Sequence, residues 1–111
     1  MKIEHISIWV NDLEKMKDFY VRYFGMECSE KYINLHKSFS SYFLSFSGAS
    51  TRIEIMNRPD IVKIQGEHSS SFGLTHFSIS VGDKKKVDEL TEILIKDGFK
   101  IVGEPRTTGD A

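Results

Sequence analysis

The chain has 111 residues, 40% of them hydrophobic and 28% charged, which fits one soluble globular domain. Its net charge of −1 excludes a strongly basic surface for nucleic acid or anionic lipid, and its single cysteine, Cys28, excludes an intramolecular disulfide. No apolar segment approaches the ~20 residues of a membrane span, and the N-terminus lacks a signal-peptide core, so we expect a cytoplasmic protein with no nucleic-acid or membrane partner.

The first half of the chain predicts the order β-α-β-β-β. Residues 3–10 alternate between polar and apolar side chains, as a half-buried strand does. Asn11 is expected to cap the following helix, with Glu14 at the third position after it in a capping-box arrangement. An apolar stripe at helical spacing predicts that helix, and Gly25 is expected to end it. The further strands are predicted over 26–32, 41–47 and 51–56.

The second half of the chain begins with a turn-rich segment. Residues 58–72 contain a proline, a glycine and a serine run, and they are predicted to be a linker. Beyond this linker the periodicity predicts a strand over 74–81, a helix over 84–97 that ends at Gly98, and a strand over 99–103.

A repeat connects the two halves. HISIWVND at 5–12 returns as HFSISVGD at 76–83, so that His5 aligns with His76 and Asp12 with Asp83. Each copy begins a strand–helix unit, which predicts two related modules over 1–57 and 73–111. If the second module had the length of the first, it would end at about residue 128. Module two is therefore expected to be incomplete after its βαβ part.

Strand alternation places three candidate metal ligands, His5, Glu54 and His76, on strand faces that point away from the helices. Two imidazoles and a carboxylate suit zinc, nickel, manganese or iron, and three protein ligands leave positions open for water or substrate. Singly, a histidine on a strand is usually an ordinary polar group, and a glutamate between isoleucines usually faces solvent. The shared register of the two histidines favours a metal site. His36 and His68 lack such a relation and are interpreted as surface residues.

The chain resembles the vicinal oxygen chelate superfamily, the group of glyoxalases, bleomycin resistance proteins and extradiol dioxygenases. The residues that carry the likeness are IEHISIWVNDLEKMKDFYVRYFGM, RIEIM and GLTHFSISV with its following helix. The resemblance implies an α+β fold of tandem βαβββ modules that form a cupped, partly open barrel-like sheet, here with the second module truncated after βαβ.

In that family, metal ligands come from the first and fourth strands of each module, which correspond here to His5, Glu54 and His76. The implied fourth ligand, a glutamate, would fall at about position 125, beyond Ala111. The 111-residue form is accordingly expected to be weak or inactive.

The resemblance implies a lyase or isomerase of the lactoylglutathione lyase type, with proton transfer through a metal-stabilised enediolate. Glu54 is then both a ligand and the candidate proton carrier. Two alternatives stay open: an extradiol dioxygenase on ferrous iron, which does not need Glu54, and a metal-free small-molecule or drug-binding protein of the bleomycin-resistance type. The resemblance also implies a homodimer, in which His5 and Glu54 of one subunit could meet His76 of the other.

Overall fold

The computed structural model describes residues 1–63, 65 and 72–109. Part of the predicted linker, including His68, lies outside these residues. The chain divides into two compact units, residues 1–68 and 69–111. The first unit contains β1 (His5–Trp9), α1 (Leu13–Phe24), β2 (Glu27–Cys28), β3 (Tyr32–Asn34), β4 (Phe39–Ser45) and β5 (Arg52–Asn57), and the second contains α2 (Lys84–Lys96).

The five strands of the first unit form one sheet in the order β1-β5-β4-β2, with β3 also paired to β4. β1 runs parallel to β5, and the other pairs are antiparallel. A mixed sheet with separate helices confirms the predicted α+β class.

The single strand predicted over 26–32 is wrong, because this segment forms two short strands, β2 and β3. Between them, the backbone N–H of Phe43 donates to the side-chain Oγ of Ser29 at 3.0 Å. The Ser29 hydroxyl thus takes the place of a backbone acceptor beside β4, and the regular ladder is interrupted there.

The core of the first unit lies between α1 and one face of the sheet. Leu44 and Ile55 are fully buried, and Leu13 and Tyr20 of α1 are buried with them. Because strand side chains alternate between faces, the strand residues adjacent to Leu44 and Ile55 point to the other side of the sheet. We call that opposite surface the open face; it carries His5, Ser7 and Trp9 of β1, Arg52, Glu54 and Met56 of β5, and Ser41, Phe43 and Ser45 of β4.

The N-cap of α1 is Asp12, so the prediction of Asn11 is wrong by one residue. Asp12 has an extended backbone, and its side chain accepts a hydrogen bond from the Lys15 N–H at 3.0 Å. The Asn11 carbonyl accepts from Asn57 Nδ2 at 3.1 Å, which ties this residue to the end of β5 instead. Gly25 ends the helix as predicted, with a left-handed φ of 62°.

The second unit is built around α2, which Asp83 caps by accepting from the Lys86 N–H at 2.9 Å. The strands predicted over 74–81 and 99–103 are wrong for the described residues, where neither segment joins a ladder. Residues 74–81 nevertheless keep their alternation, with Phe77, Ile79 and Val81 half-buried and His76, Ser78 and Ser80 exposed. Alternation marks an amphipathic segment, but a strand also needs backbone partners.

Within the described part of the chain, neither helix combines the length and the apolar character that a membrane crossing requires.

Candidate metal site on the open face

The parallel pairing of β1 and β5 brings His5 and Glu54 together. Ser7 lies opposite Glu54 and His5 opposite Arg52, so that His5 and Glu54 are diagonal neighbours on the open face. His5 Nε2 lies 3.9 Å from Glu54 Oε2. The Ser7 hydroxyl donates to the same carboxylate oxygen at 2.9 Å. An imidazole nitrogen and a well-oriented carboxylate therefore converge at one point.

These two donors fit a divalent metal. Ligand atoms each about 2.1 Å from an ion lie roughly 3–3.5 Å apart at tetrahedral or octahedral angles. A small rotation of either side chain would close the observed 3.9 Å to that range. The His5 side chain is 39% exposed and the Glu54 side chain 14% exposed, so the pair is reached from solvent mainly on the His5 side.

The other nitrogen of His5 is also engaged. Its Nδ1 forms a close hydrogen bond with the Glu4 carboxylate, and Arg52 Nε donates to that carboxylate at 2.9 Å. These hydrogen bonds, that of His5 first and that of Arg52 second, lower the pKa of Glu4. The Phe43 ring stands edge-on to the His5 ring, with centroids 5.5 Å apart. Neither Glu4 nor Phe43 was predicted as a site residue, because both lie outside the repeated segment 5–12.

His76, the third predicted ligand, is exposed and lies in the second unit, in the segment that precedes α2. Across residues 1–63, 65 and 72–109, no group of three or more His, Cys, Asp or Glu side chains is arranged to hold a metal ion. The structure thus brings two of the three predicted ligands together, and the three-residue site stays a prediction.

An exposed aromatic row borders the His5–Glu54 pair. Trp9 lies opposite Met56 on the open face, one cross-strand row beyond Glu54, and Tyr32 lies at the far side of the same row. Trp9 is 44% exposed and Tyr32 is 54% exposed. The Phe39 ring contacts both, with centroids 6.1 and 6.0 Å away. This surface could bind the apolar part of a small molecule whose polar end reaches His5 and Glu54.

Comparisons with known proteins agree with this architecture. Residues 2–111 match the family model described as Glyoxalase/Bleomycin resistance protein/Dioxygenase superfamily. No curated protein matches the chain.

Three solved structures illustrate the likeness of the fold. The trypanothione-dependent glyoxalase I of Leishmania major is 22% identical with a TM-score of 0.74, over 96% of this chain and 73% of that chain. A glyoxalase family protein from Enterococcus faecalis is 21% identical with a TM-score of 0.70, over 89% and 74%. A variant of the fosfomycin resistance protein FosX from Listeria monocytogenes, complexed with Mn(II) and a dihydroxypropylphosphonic acid, is 23% identical with a TM-score of 0.67, over 97% and 78%.

Proposed function

Because the chain belongs to the Glyoxalase/Bleomycin resistance protein/Dioxygenase superfamily, we propose that it is a divalent-metal enzyme of the lyase or isomerase type, similar to lactoylglutathione lyase. The observation that carries this proposal is the approach of His5 Nε2 to within 3.9 Å of Glu54 Oε2 on the open face. His5, Glu54 and His76 would hold zinc, nickel, manganese or iron, and the similar FosX fold was solved with Mn(II). Such an ion, when bound, supplies Lewis-acid stabilisation of developing oxyanion charge.

Glu54 is the proton carrier in this proposal. Its carboxylate accepts a proton from the substrate carbon beside a carbonyl and returns it to a neighbouring atom. The hydrogen bond from Ser7, 2.9 Å long, fixes one carboxylate oxygen and so sets the direction from which the other can reach substrate. The side chain is only 14% exposed, which limits the access of water to the transferred proton.

Metal binding tests this proposal first. Titration of the purified protein with Ni²⁺ or Zn²⁺, followed by calorimetry, should give about one ion per site, and His5→Ala or Glu54→Ala should weaken binding by more than ~100-fold because each removes a direct ligand. His36→Ala, an exposed histidine outside the strands, is the matched control and should bind as wild type does. If the wild-type protein binds neither ion at saturation, the proposal is contradicted.

Chemistry tests it second. Substrates to be screened are methylglyoxal–thiol adducts, acyl-CoA epimers and catechols, in D₂O, where proton transfer to carbon leaves deuterium in the product. Glu54→Gln should lower the rate by about 10²–10⁴-fold, the usual contribution of a general base. Oxygen consumption with catechols and no deuterium exchange would instead identify dioxygenase chemistry.

A metal-free binding protein is the second candidate, and the exposed aromatic row favours it. Trp9 is the only tryptophan of the chain, so its fluorescence reports on this surface alone. If aromatic small molecules quench the Trp9 fluorescence equally in EDTA and in added Ni²⁺, simple binding is favoured. Quenching that requires the metal would favour the enzyme.

A further inference from the structure

We propose that Glu4 is a positioning residue, which holds the His5 imidazole with its proton on Nδ1 and its Nε2 lone pair turned toward Glu54. This inference rests on the proposed role of His5 as a metal ligand, and it assigns a function to a residue outside the predicted ligand set.

The tautomer follows from the inventory of donors. A neutral imidazole has one N–H donor and one acceptor nitrogen, whereas an ionised carboxylate only accepts. The nitrogen that contacts Glu4 is Nδ1, so Nδ1 carries the hydrogen. In the neutral imidazole Nε2 is then the acceptor, and it is Nε2 that lies 3.9 Å from Glu54 Oε2. A cation between these atoms would meet a lone pair rather than an N–H group.

Glu4 is itself held in place. Arg52 Nε donates to Glu4 Oε1 at 2.9 Å, and the Arg52 backbone N–H donates to the Glu4 carbonyl, also at 2.9 Å. The Arg52 guanidinium lies 3.9 Å from the centroid of the Phe43 ring, whose edge-on contact with His5 limits rotation of the imidazole. Segments before β1, in β5 and in β4 thus fix the His5 ring together.

Glu4 acts through His5 and is not a ligand itself. Its Oε1 accepts from Arg52 and its Oε2 contacts His5, so both oxygens are engaged away from the point where Nε2 faces Glu54. Carboxylates that accept from the second nitrogen of a ligating histidine fix its tautomer and ring orientation, and their loss typically costs about 10–100-fold in metal affinity.

The test reads the tautomer directly. Long-range ¹H–¹⁵N spectra of the metal-free protein, with His5 assigned from a His5→Ala sample, should show hydrogen on Nδ1 in wild type. Glu4→Ala should shift His5 toward the Nε2–H tautomer and lower Ni²⁺ affinity by about 10–100-fold. Glu4→Gln keeps an acceptor oxygen and should recover most of both. Glu92→Ala, an exposed glutamate of α2, is the control and should change neither.

The outcomes separate this inference from the proposed function. A Glu4→Ala protein with unchanged His5 tautomer and unchanged Ni²⁺ affinity overturns the inference, although metal binding by wild type would still support the function. If wild type binds no Ni²⁺, the proposed function fails, and the tautomer spectra still decide whether Glu4 holds His5. The Glu4 side chain is half exposed, so we expect its variants to fold, and circular dichroism checks this. If Glu4→Ala is unstable, Glu4→Gln serves as the second variant.

Discussion

Glu14 collects three hydrogen-bond donors in the first turn of α1. Lys31 Nζ and Tyr42 Oη donate to it at 2.9 Å each, and Lys17 Nζ at 3.2 Å. In that order these bonds lower the pKa of Glu14 from its ordinary 4.5 to about 2. Lys31 follows β2 and Tyr42 lies in β4, so one ionised carboxylate joins the helix to the sheet at a place where the sequence predicts only a capping partner.

The depressed pKa of Glu14 predicts a pH dependence of stability. A group whose folded pKa lies below its unfolded value stabilises the fold above the unfolded value and loses that effect as pH falls through the folded one. The difference in unfolding free energy between wild type and Glu14→Gln should therefore be full above pH 4.5 and shrink as pH falls from 4.5 toward about 2. Urea unfolding across this range measures it.

Glu92→Gln, on the exposed surface of α2, controls for the loss of one surface carboxylate. A wild type minus Glu14→Gln difference that stays constant from pH 7 to pH 2 would contradict the assigned role of the Glu14 cluster.

The two helices begin in the same way, and the repeat explains why. Asp12 and Asp83 align at the repeat shift, and each accepts a hydrogen bond from the N–H three residues later. The capping residue is therefore part of the repeated strand–helix unit. The segments before the two helices differ, since β1 is paired to β5, while residues 74–81 join no ladder among the described residues.

Loss of either cap should destabilise its own helix. We expect Asp12→Ala and Asp83→Ala each to cost about 0.5–2 kcal/mol, because one N–H group of the first turn loses its acceptor and the helix N-terminus loses a favourable negative charge. Amide hydrogen exchange should show faster exchange in the first turn of α1 for Asp12→Ala and of α2 for Asp83→Ala. Asp88→Ala, inside α2, is the control and should leave the first turn of α2 protected. Equal exchange rates in all three variants would contradict the capping roles.

On the scale of the whole molecule, the predicted ligands are divided between the two units. His5 and Glu54 belong to the first, residues 1–68, and His76 to the second, residues 69–111. We propose, from the family resemblance, a homodimer in which His76 of one subunit joins His5 and Glu54 of the other. A C₂ dimer of this kind would contain two equivalent sites, each with His5 from one subunit and His76 from its partner.

Mixing two variants that each lack one ligand tests this arrangement against one in which each chain supplies all three ligands. If sites form between chains, His5→Ala and His76→Ala subunits that exchange freely should recover about a quarter of the wild-type Ni²⁺ sites, since half of the dimers are mixed and each has one intact site. If sites form within chains, mixing recovers none. Light scattering before and after mixing checks the oligomeric state, and a strictly monomeric wild type would exclude the homodimer.

The sequence by itself determined which side chains share a face and where the helices lie, because the periods of 2.0 and 3.6 are local properties of the backbone. From it alone follow the common face of His5 and Glu54 and the end of α1 at Gly25. Only the tertiary structure decided that Arg52 lies opposite His5, that Glu4 reaches Nδ1, and that Ser29 interrupts the ladder. These contacts depend on which strands pair and in what register, and pairing joins residues such as His5 and Arg52 that lie far apart in the chain, where local periodicity carries no information.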